Sequence, residues 1–108
     1  MGETDNTGDA KQEATEYVDL SHTFFDRFSK SDVDCSCRFK RPTTQMANRA
    51  QKRMLKTPLS AFKDMCMETV HPEDRQKLRE AGETYPGLYS TFGNELLKSI
   101  GFGELGNE

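Results

Sequence analysis

Four prolines divide the second half of this chain at nearly even intervals. They stand at positions 42, 58, 72 and 86, so that successive prolines are 16, 14 and 14 residues apart. Proline fits the first turn of a helix, because the N–H that it lacks would be unpaired there, whereas a helix interior excludes it. An apolar-periodic stretch follows each proline. The spacing therefore predicts four short helices over residues 42–102.

The second and fourth of these helices carry most of the predicted core. We expect Thr43 or Thr44 to cap the first helix, Thr57 to cap the second, and Gly101 to end the fourth. The third helix contributes little, and we expect Gly82 to weaken or end it. Helices this short are unstable alone and must pack on one another. The predicted centre of the core is Leu59, Phe62, Cys66, Val70, Phe92, Leu96 and Ile100.

The stretch before the first proline is predicted to be extended. Val33, Cys35, Cys37 and Phe39 alternate with polar residues, which is typical of a half-buried strand. We predict a β-hairpin that pairs residues 17–25 with 33–39. Apolar residues in 17–30 also repeat at helical spacing, so strand and helix both stay open there. The predicted fold is mainly α (α+β): an N-terminal hairpin or strand, then four short helices in a small orthogonal bundle.

The chain is predicted to form one small domain with two tails. Residues 1–16 hold no large apolar side chain after the first methionine, and we expect a disordered acidic tail there. Residues 17–102 form the domain, with an extended part at 17–41 and helices at 42–102, and residues 103–108 a frayed tail. Since no apolar run reaches the ~18 residues of a membrane span, we expect none, and no secretory signal. An odd cysteine count favours reduced thiols in a cytoplasm.

Positive charge is concentrated in the middle of the chain. Residues 38–63 hold eight bases and no acid, between flanks with net charges of −6 and −5. Four of these bases repeat at helical spacing and share one face of the first helix. A solvated face balanced by the acidic flanks, a phosphate-binding stripe and a dock for an acidic protein segment all stay open. The predicted basic patch is Arg38, Lys40, Arg41, Arg49, Lys52, Arg53 and Lys56.

The sequence offers no set of residues suited to catalysis or metal binding. No nucleophile is accompanied by a base, and the two histidines define neither a triad nor an acid–base pair. Cys35 and Cys37 form a C-x-C pair, whereas structural zinc sites prefer wider spacing and a second matching pair. We therefore expect buried thiols, no cofactor, no metal and no enzymatic activity.

Four segments resemble small tail assembly chaperones of tailed bacteriophages and prophages. They are CRFKRPT at 37–43, PEDRQKL at 72–78, YPGLYSTFGNELL at 85–97 and IGF at 100–102. The resemblance implies a non-enzymatic protein in the cytoplasm of a bacterial host. Such proteins shield the long apolar tape-measure protein during tail assembly, and the tail-tube protein is a second candidate partner. The small core also leaves a homo-oligomer open.

A partner of this kind would bind exposed apolar side chains. Methionine suits surfaces that accept varied helices, and it is frequent in the first two predicted helices. The predicted partner-binding residues are the exposed members of the apolar faces, namely Met54, Met65, Met67, Leu88, Tyr89 and Leu97. The alternative function is a small nucleic-acid-binding accessory protein that uses the basic stripe at 38–56. Nucleic acid is the less favoured partner, because the chain is acidic overall.

Overall fold

The computed structural model describes residues 16–103, and every structural statement below concerns that range. The two predicted tails lie almost entirely outside it. A β-hairpin comes first, followed by four α-helices and one 3₁₀ turn, which confirms the predicted α+β fold class. The elements are β1 (Tyr17–Asp26), β2 (Ser31–Lys40), α1 (Thr44–Met54), α2 (Pro58–Thr69), a 3₁₀ turn (Pro72–Asp74), α3 (Arg75–Thr84) and α4 (Gly87–Ser99).

The hairpin is longer than predicted, and it settles the ambiguity over residues 17–30. β1 pairs with β2 in an unbroken antiparallel register from Tyr17–Lys40 to Asp26–Ser31. In the connecting turn, Lys30 adopts a positive φ of 60° and its N–H donates to the carbonyl of Asp26. One face of the hairpin packs on the helices, and Cys35, Cys37 and Phe39 of β2 are buried there. The period-2 pattern in β2 thus identified its inward side chains correctly.

The helices begin close to the four prolines, as predicted. The Thr43 hydroxyl accepts from the N–H of Met46 and caps α1. Thr57 does not cap α2 through its side chain; its hydroxyl donates instead to the carbonyl of Arg53. Pro72 opens a 3₁₀ turn that leads into α3. Gly101 has a φ of 107° and ends α4, as expected of a C-terminal glycine.

Two helical glycines allow the helices to approach closely. A Cβ at Gly82 would lie 2.4 Å from the ring of Tyr89, and one at Gly93 would lie 2.3 Å from the ring of Phe62. Gly82 therefore brings α3 against α4, and Gly93 brings α2 against α4. α3 continues to Thr84, so Gly82 does not end the helix, and the prediction that it weakens the helix stays a prediction. Contact with an aromatic ring offsets the poor helix propensity of glycine there.

The core lies where α2, α4 and β2 meet. The rings of Phe39 and Phe92 are 5.3 Å apart at its centre. Of the seven residues predicted there, Phe62, Cys66, Val70, Phe92 and Leu96 are buried. Ile100 is only partly buried at the end of α4. Leu59 is a wrong prediction, because it is 44% exposed. It lies in the first turn of α2, roughly a quarter turn from the centre of the buried face.

Candidate interaction surfaces

Arg38 of the predicted basic patch holds β2 to the 3₁₀ turn. Its backbone N–H donates to Asp74 Oδ2 at 2.8 Å, and its Nε donates to the same oxygen at 3.0 Å. Its carbonyl accepts from the N–H of His71 at 2.8 Å. The side-chain hydrogen bond from Arg38 is the main reason that the pKa of Asp74 lies well below its usual range. The outer edge of β2 is therefore closed at Arg38, and a β-bridge from Phe39 to Val70 extends that closure.

Two more residues of the basic patch join α1 to α2. Arg49 pairs with Glu68 at 2.6 Å, and Arg53 pairs with Asp64. Arg53 also donates to the hydroxyl of Ser60 at 2.6 Å. The predicted stripe on α1 thus turns its two arginines toward acids of α2. Exposed pairs of this kind stabilise a fold only slightly, but they occupy the cations.

The other four bases of the patch form no ion pair within residues 16–103. Lys40 is half-buried at the end of β2, and Arg41, Lys52 and Lys56 are exposed. Lys52 and Lys56 lie on either side of the end of α1. The structure therefore divides the predicted basic patch into three residues that join elements of the fold and four that face water or the rim of the hairpin.

Four of the six predicted partner-binding residues are in the core. Met65, Leu88, Tyr89 and Leu97 are buried, so the prediction that they are exposed is wrong. The reason is that α4 is surrounded by other elements. Phe62 of α2 packs on Gly93 of α4, Gly82 of α3 packs on Tyr89 of α4, and Phe39 of β2 packs on Phe92 of α4. Met54 and Met67 are half-buried and pack against the outside of the core.

The exposed apolar side chains lie instead on the hairpin and where α1 meets α2. Phe28, in the hairpin turn, is 98% exposed, and Leu55, just after α1, is 92% exposed. Val18 and Phe25 add apolar surface on β1. We call Met54, Leu55 and Leu59 the α1–α2 corner. The sequence did carry a signal for Leu55, since it is an apolar residue that follows a helix and lies between lysines.

Two grooves lie where the packed face of the hairpin meets α4. One has a volume of about 350 Å³, and its lining includes His22, Phe24, Tyr85 and Thr91. The other has a volume of about 120 Å³ beside Val18 and Leu96. The Tyr85 hydroxyl donates to Asp26 Oδ2 at 2.6 Å, which ties the far end of β1 to the body. No other element among the described residues forms hydrogen bonds along the outer edge of β1.

The three cysteines are free and buried, as predicted. Burial raises the pKa of the Cys66 thiol to about 12. The hydrogen bond with Cys35 and then burial raise the pKa of Cys37 above its ordinary value. His71 accepts from the N–H of Glu73 through Nδ1 and so caps the 3₁₀ turn.

Within the described part of the chain, no three His, Cys, Asp or Glu residues are placed to hold a metal ion. A groove of about 450 Å³ between α2 and α3 is lined by charged residues and Met67. Among residues 16–103, no helix combines the length and the hydropathy needed to cross a bilayer.

The comparisons with known proteins identify a family and a fold. The family described as "Domain of unknown function (DUF6848)" matches residues 10–108. The solved structure of the uncharacterised protein rbstp2171 from Bacillus stearothermophilus is similar, with a TM-score of 0.63 and 23% sequence identity. The similarity covers 78% of this chain and 83% of that one. At this identity the similarity shows a shared fold. None of the curated proteins matches the chain.

Proposed function

We propose that this chain, which belongs to the DUF6848 family, is a non-enzymatic assembly chaperone of a phage or prophage tail. In this proposal it shields apolar segments of the tape-measure protein in the cytoplasm of a bacterial host. The support comes from the sequence resemblance over residues 37–102 and from the exposed apolar side chains. The resemblance supplies the pathway, and the exposed side chains supply a means of binding.

The observation that carries the proposal is the near-complete exposure of Leu55 in the α1–α2 corner. This side chain is 92% exposed although the domain has a well-formed core. Full burial of a side chain of this size contributes about 1.5–3 kcal/mol, which is a substantial gain for a binding partner. Exposed apolar groups rimmed by polar ones are typical of protein-binding surfaces.

We assign client binding to the α1–α2 corner. Leu55 and Leu59 present aliphatic surface there, and Met54 beside them adds an adaptable side chain. Lys52 and Lys56 flank the corner and form no ion pair within residues 16–103. The preferred client is thus an amphipathic helix with an apolar stripe and acidic residues beside it, docked as a helix on an apolar surface. A long, helical, apolar tape-measure protein offers such segments.

Co-expression with a tape-measure fragment tests the proposal. The wild-type chain should raise the soluble fraction of the fragment and co-purify with it. Leu55→Ser should lower the recovered complex several-fold, because the variant loses the most exposed side chain of the corner. Phe28→Ser is the matched control, since it removes an equally exposed apolar residue from the hairpin. Failure of the wild-type chain to solubilise or retain the fragment at low and at high salt would refute the proposal.

The alternative, nucleic-acid binding by the basic stripe at 38–56, has less support. Arg38, Arg49 and Arg53 are occupied by acids of the same chain. Binding through the remaining bases would weaken steeply with salt. Charge reversal at Lys52 and Lys56 would abolish such binding, and the absence of any salt-dependent binding to single strands or duplexes would exclude it.

A further inference from the structure

The outer edge of β1 presents a row of backbone groups directed away from β2. The backbone N–H and C=O of Arg38 point away from β1, toward Asp74 and His71. Its partner in the register is Asp19, whose backbone groups must then point away from β2. The same orientation repeats at every second residue. The outward groups therefore belong to Tyr17, Asp19, Ser21, Thr23 and Phe25.

β1 lacks most of the features that usually protect an edge strand from pairing with another chain. Natural edges are guarded by charged side chains, lysine above all, by proline, by bulges or by short length. β1 runs over 10 residues and holds no proline, lysine or arginine, and its charged side chains are Asp19 and Asp26. Every residue pairs one to one with β2, so no bulge twists the edge away. Long, apolar edges without such guards are sites of strand addition.

We propose that the β1 strands of two copies of this chain pair antiparallel around a two-fold axis at Ser21. The dimer then contains a continuous four-stranded sheet. A two-fold axis perpendicular to the sheet keeps the helices of both copies on the same side. The paired surface is isologous, as in most homodimers. This inference does not rest on the client-binding proposal, which uses the α1–α2 corner.

The side chains of β1 complement one another in this register. Centring the pair on Ser21 places Tyr17 opposite Phe25 and Val18 opposite Phe24, with Asp19 opposite Thr23. Aromatic and aliphatic pairs across strands are stabilising, and between Tyr17 and Phe25 no like charges face each other. At the ends of the paired segment Glu16 comes opposite Asp26, whose carboxylate accepts a hydrogen bond from Tyr85. A centre at His22 would instead place Val18 opposite Asp26. A centre at Leu20 would place Phe24 opposite Glu16. The register at Ser21 is thus favoured by its contacts.

The two grooves beside β1 leave room for the partner's side chains. Val18 is 54% exposed on the face of the hairpin that packs toward α4. In the proposed dimer, Val18 of the second copy lies opposite Phe24, at the groove of about 350 Å³. Phe24 of the second copy likewise lies at the groove of about 120 Å³ beside Val18. Dimer formation would therefore cover apolar surface that the single chain leaves open.

Proline scanning of the two hairpin edges tests the dimer. Ser21→Pro removes an outward N–H at the proposed axis but leaves the hairpin ladder intact. Ser36→Pro is a matched control, because Ser36 lies opposite Ser21 and its N–H points to the other edge. Both variants also lose the hydroxyl–hydroxyl hydrogen bond between the two serines. Sedimentation of the full chain should show a dimer for wild type and Ser36→Pro. For Ser21→Pro the dissociation constant should rise at least about tenfold.

Thiol cross-linking tests the register directly. Hydrogen-bonded residues across an antiparallel pair have Cα atoms about 5.5 Å apart, within the range of a disulfide. Ser21→Cys should therefore give a disulfide-linked dimer on oxidation, whereas Ser36→Cys should dimerise without forming that covalent link. The native cysteines are buried and serve as the background in wild type. A monomeric wild type, a Ser21→Pro variant that still dimerises, or equal cross-linking at both positions would overturn the proposal.

Client capture distinguishes this proposal from the first one. Ser21→Pro should still bind the tape-measure fragment through the α1–α2 corner, and Leu55→Ser should still dimerise. Loss of dimerisation alone would leave the chaperone proposal standing, and loss of client binding alone would leave the dimer standing.

Discussion

The two strands of the hairpin have the same length and pair throughout, yet their surroundings differ. β2 buries Cys35, Cys37 and Phe39, and its outer edge is closed by Val70, His71 and Asp74. β1 leaves Val18 and Phe25 exposed and its outer edge open. The rung that joins Val18 to Phe39 shows the contrast most clearly, because one side chain is 54% exposed and the other fully buried.

β2 is therefore an integral part of the packed domain, whereas β1 is attached to the domain largely through β2. β2 is fixed by side-chain packing, by hydrogen bonds and by charge. β1 is fixed by its ladder to β2, by the Tyr17 ring against His71, and by contacts with Tyr85 and α4. Substitutions in β2 should therefore affect the folding of the whole domain, whereas those in β1 should affect the hairpin surface and what it binds.

The largest expected effect is at the Val18–Phe39 rung. Phe39→Ala should lower the free energy of unfolding by about 3–5 kcal/mol, because it opens a cavity against Phe92. Val18→Ala, on the same rung, should cost less than about 1 kcal/mol. Denaturant unfolding at concentrations where the chain is monomeric measures both. Equal losses would contradict the contrast between the strands.

The second largest loss of stability is expected at Gly93, where α4 packs on α2. Gly93→Ala should destabilise the domain by about 1–3 kcal/mol, because its Cβ overlaps the Phe62 ring and overpacks the helix contact. Gly87→Ala is the control, since no atom lies within 4 Å of a Cβ there. Thermal unfolding should place the Gly87 variant at or above wild type. A Gly93 variant as stable as that control would contradict the close packing of α2 on α4.

The closed edge of β2 should depend on pH through Asp74. Its pKa is lowered in the folded chain, so its contribution to stability is complete above the unfolded pKa of about 3.9 and is lost as the pH falls through the folded pKa. Asp74→Asn should therefore lower the melting temperature at neutral pH, by an amount that shrinks below about pH 4.

Asp64→Asn is the control for this pH dependence, because Asp64 forms an exposed pair with Arg53. An exposed pair contributes little, so its removal should change the melting temperature only slightly. If the two variants behaved alike across the pH range, Asp74 would not be the residue that closes the edge.

The smallest effect on stability is expected at Phe25. It lies on the outer face of β1, and Phe25→Ala should change the free energy of unfolding of the monomer by no more than about 0.5 kcal/mol. The same change should weaken the proposed dimer, because it removes the partner of Tyr17. Unfolding at low concentration and sedimentation at high concentration separate the two effects. A large loss of monomer stability would contradict the view that the exposed face of β1 contributes little to the stability of the domain.

The sequence predicted the elements of this fold better than their contacts. The prolines marked the helix starts because proline acts locally, on its own φ and its own missing N–H. The period-2 pattern in β2 identified its buried face because the alternation of side chains along a strand is also a local property. In residues 17–30, the many β-forming side chains favoured a strand, whereas Leu20, Phe24 and Phe28 repeat at helical spacing. Only the ladder to β2 decides between the two. Leu59 was wrongly predicted to lie in the core, because the apolar stripe on α2 does not show how far along α2 the neighbouring helices extend.

The candidate site was less predictable from sequence. Arg38 reads as one base among eight, because its partner Asp74 is 36 positions away and no local pattern links the two. Leu88, Tyr89 and Leu97 read as one side of an amphipathic helix. Their burial follows from the number of elements around α4, which depends on tertiary packing. The exposure of Leu55 had a local signal, since it follows a helix between two lysines.

The bridge between Phe39 and Val70 also bears on how the chain folds. It closes a loop of roughly 30 residues that contains α1 and α2, and closing such a loop costs entropy before its contacts are gained. Hairpin rungs and the α1–α2 contacts join residues that are closer in sequence, so we expect them to form earlier. Replacing Val70 by alanine should then accelerate unfolding more than it slows refolding, and the two arms of a chevron plot would measure that division.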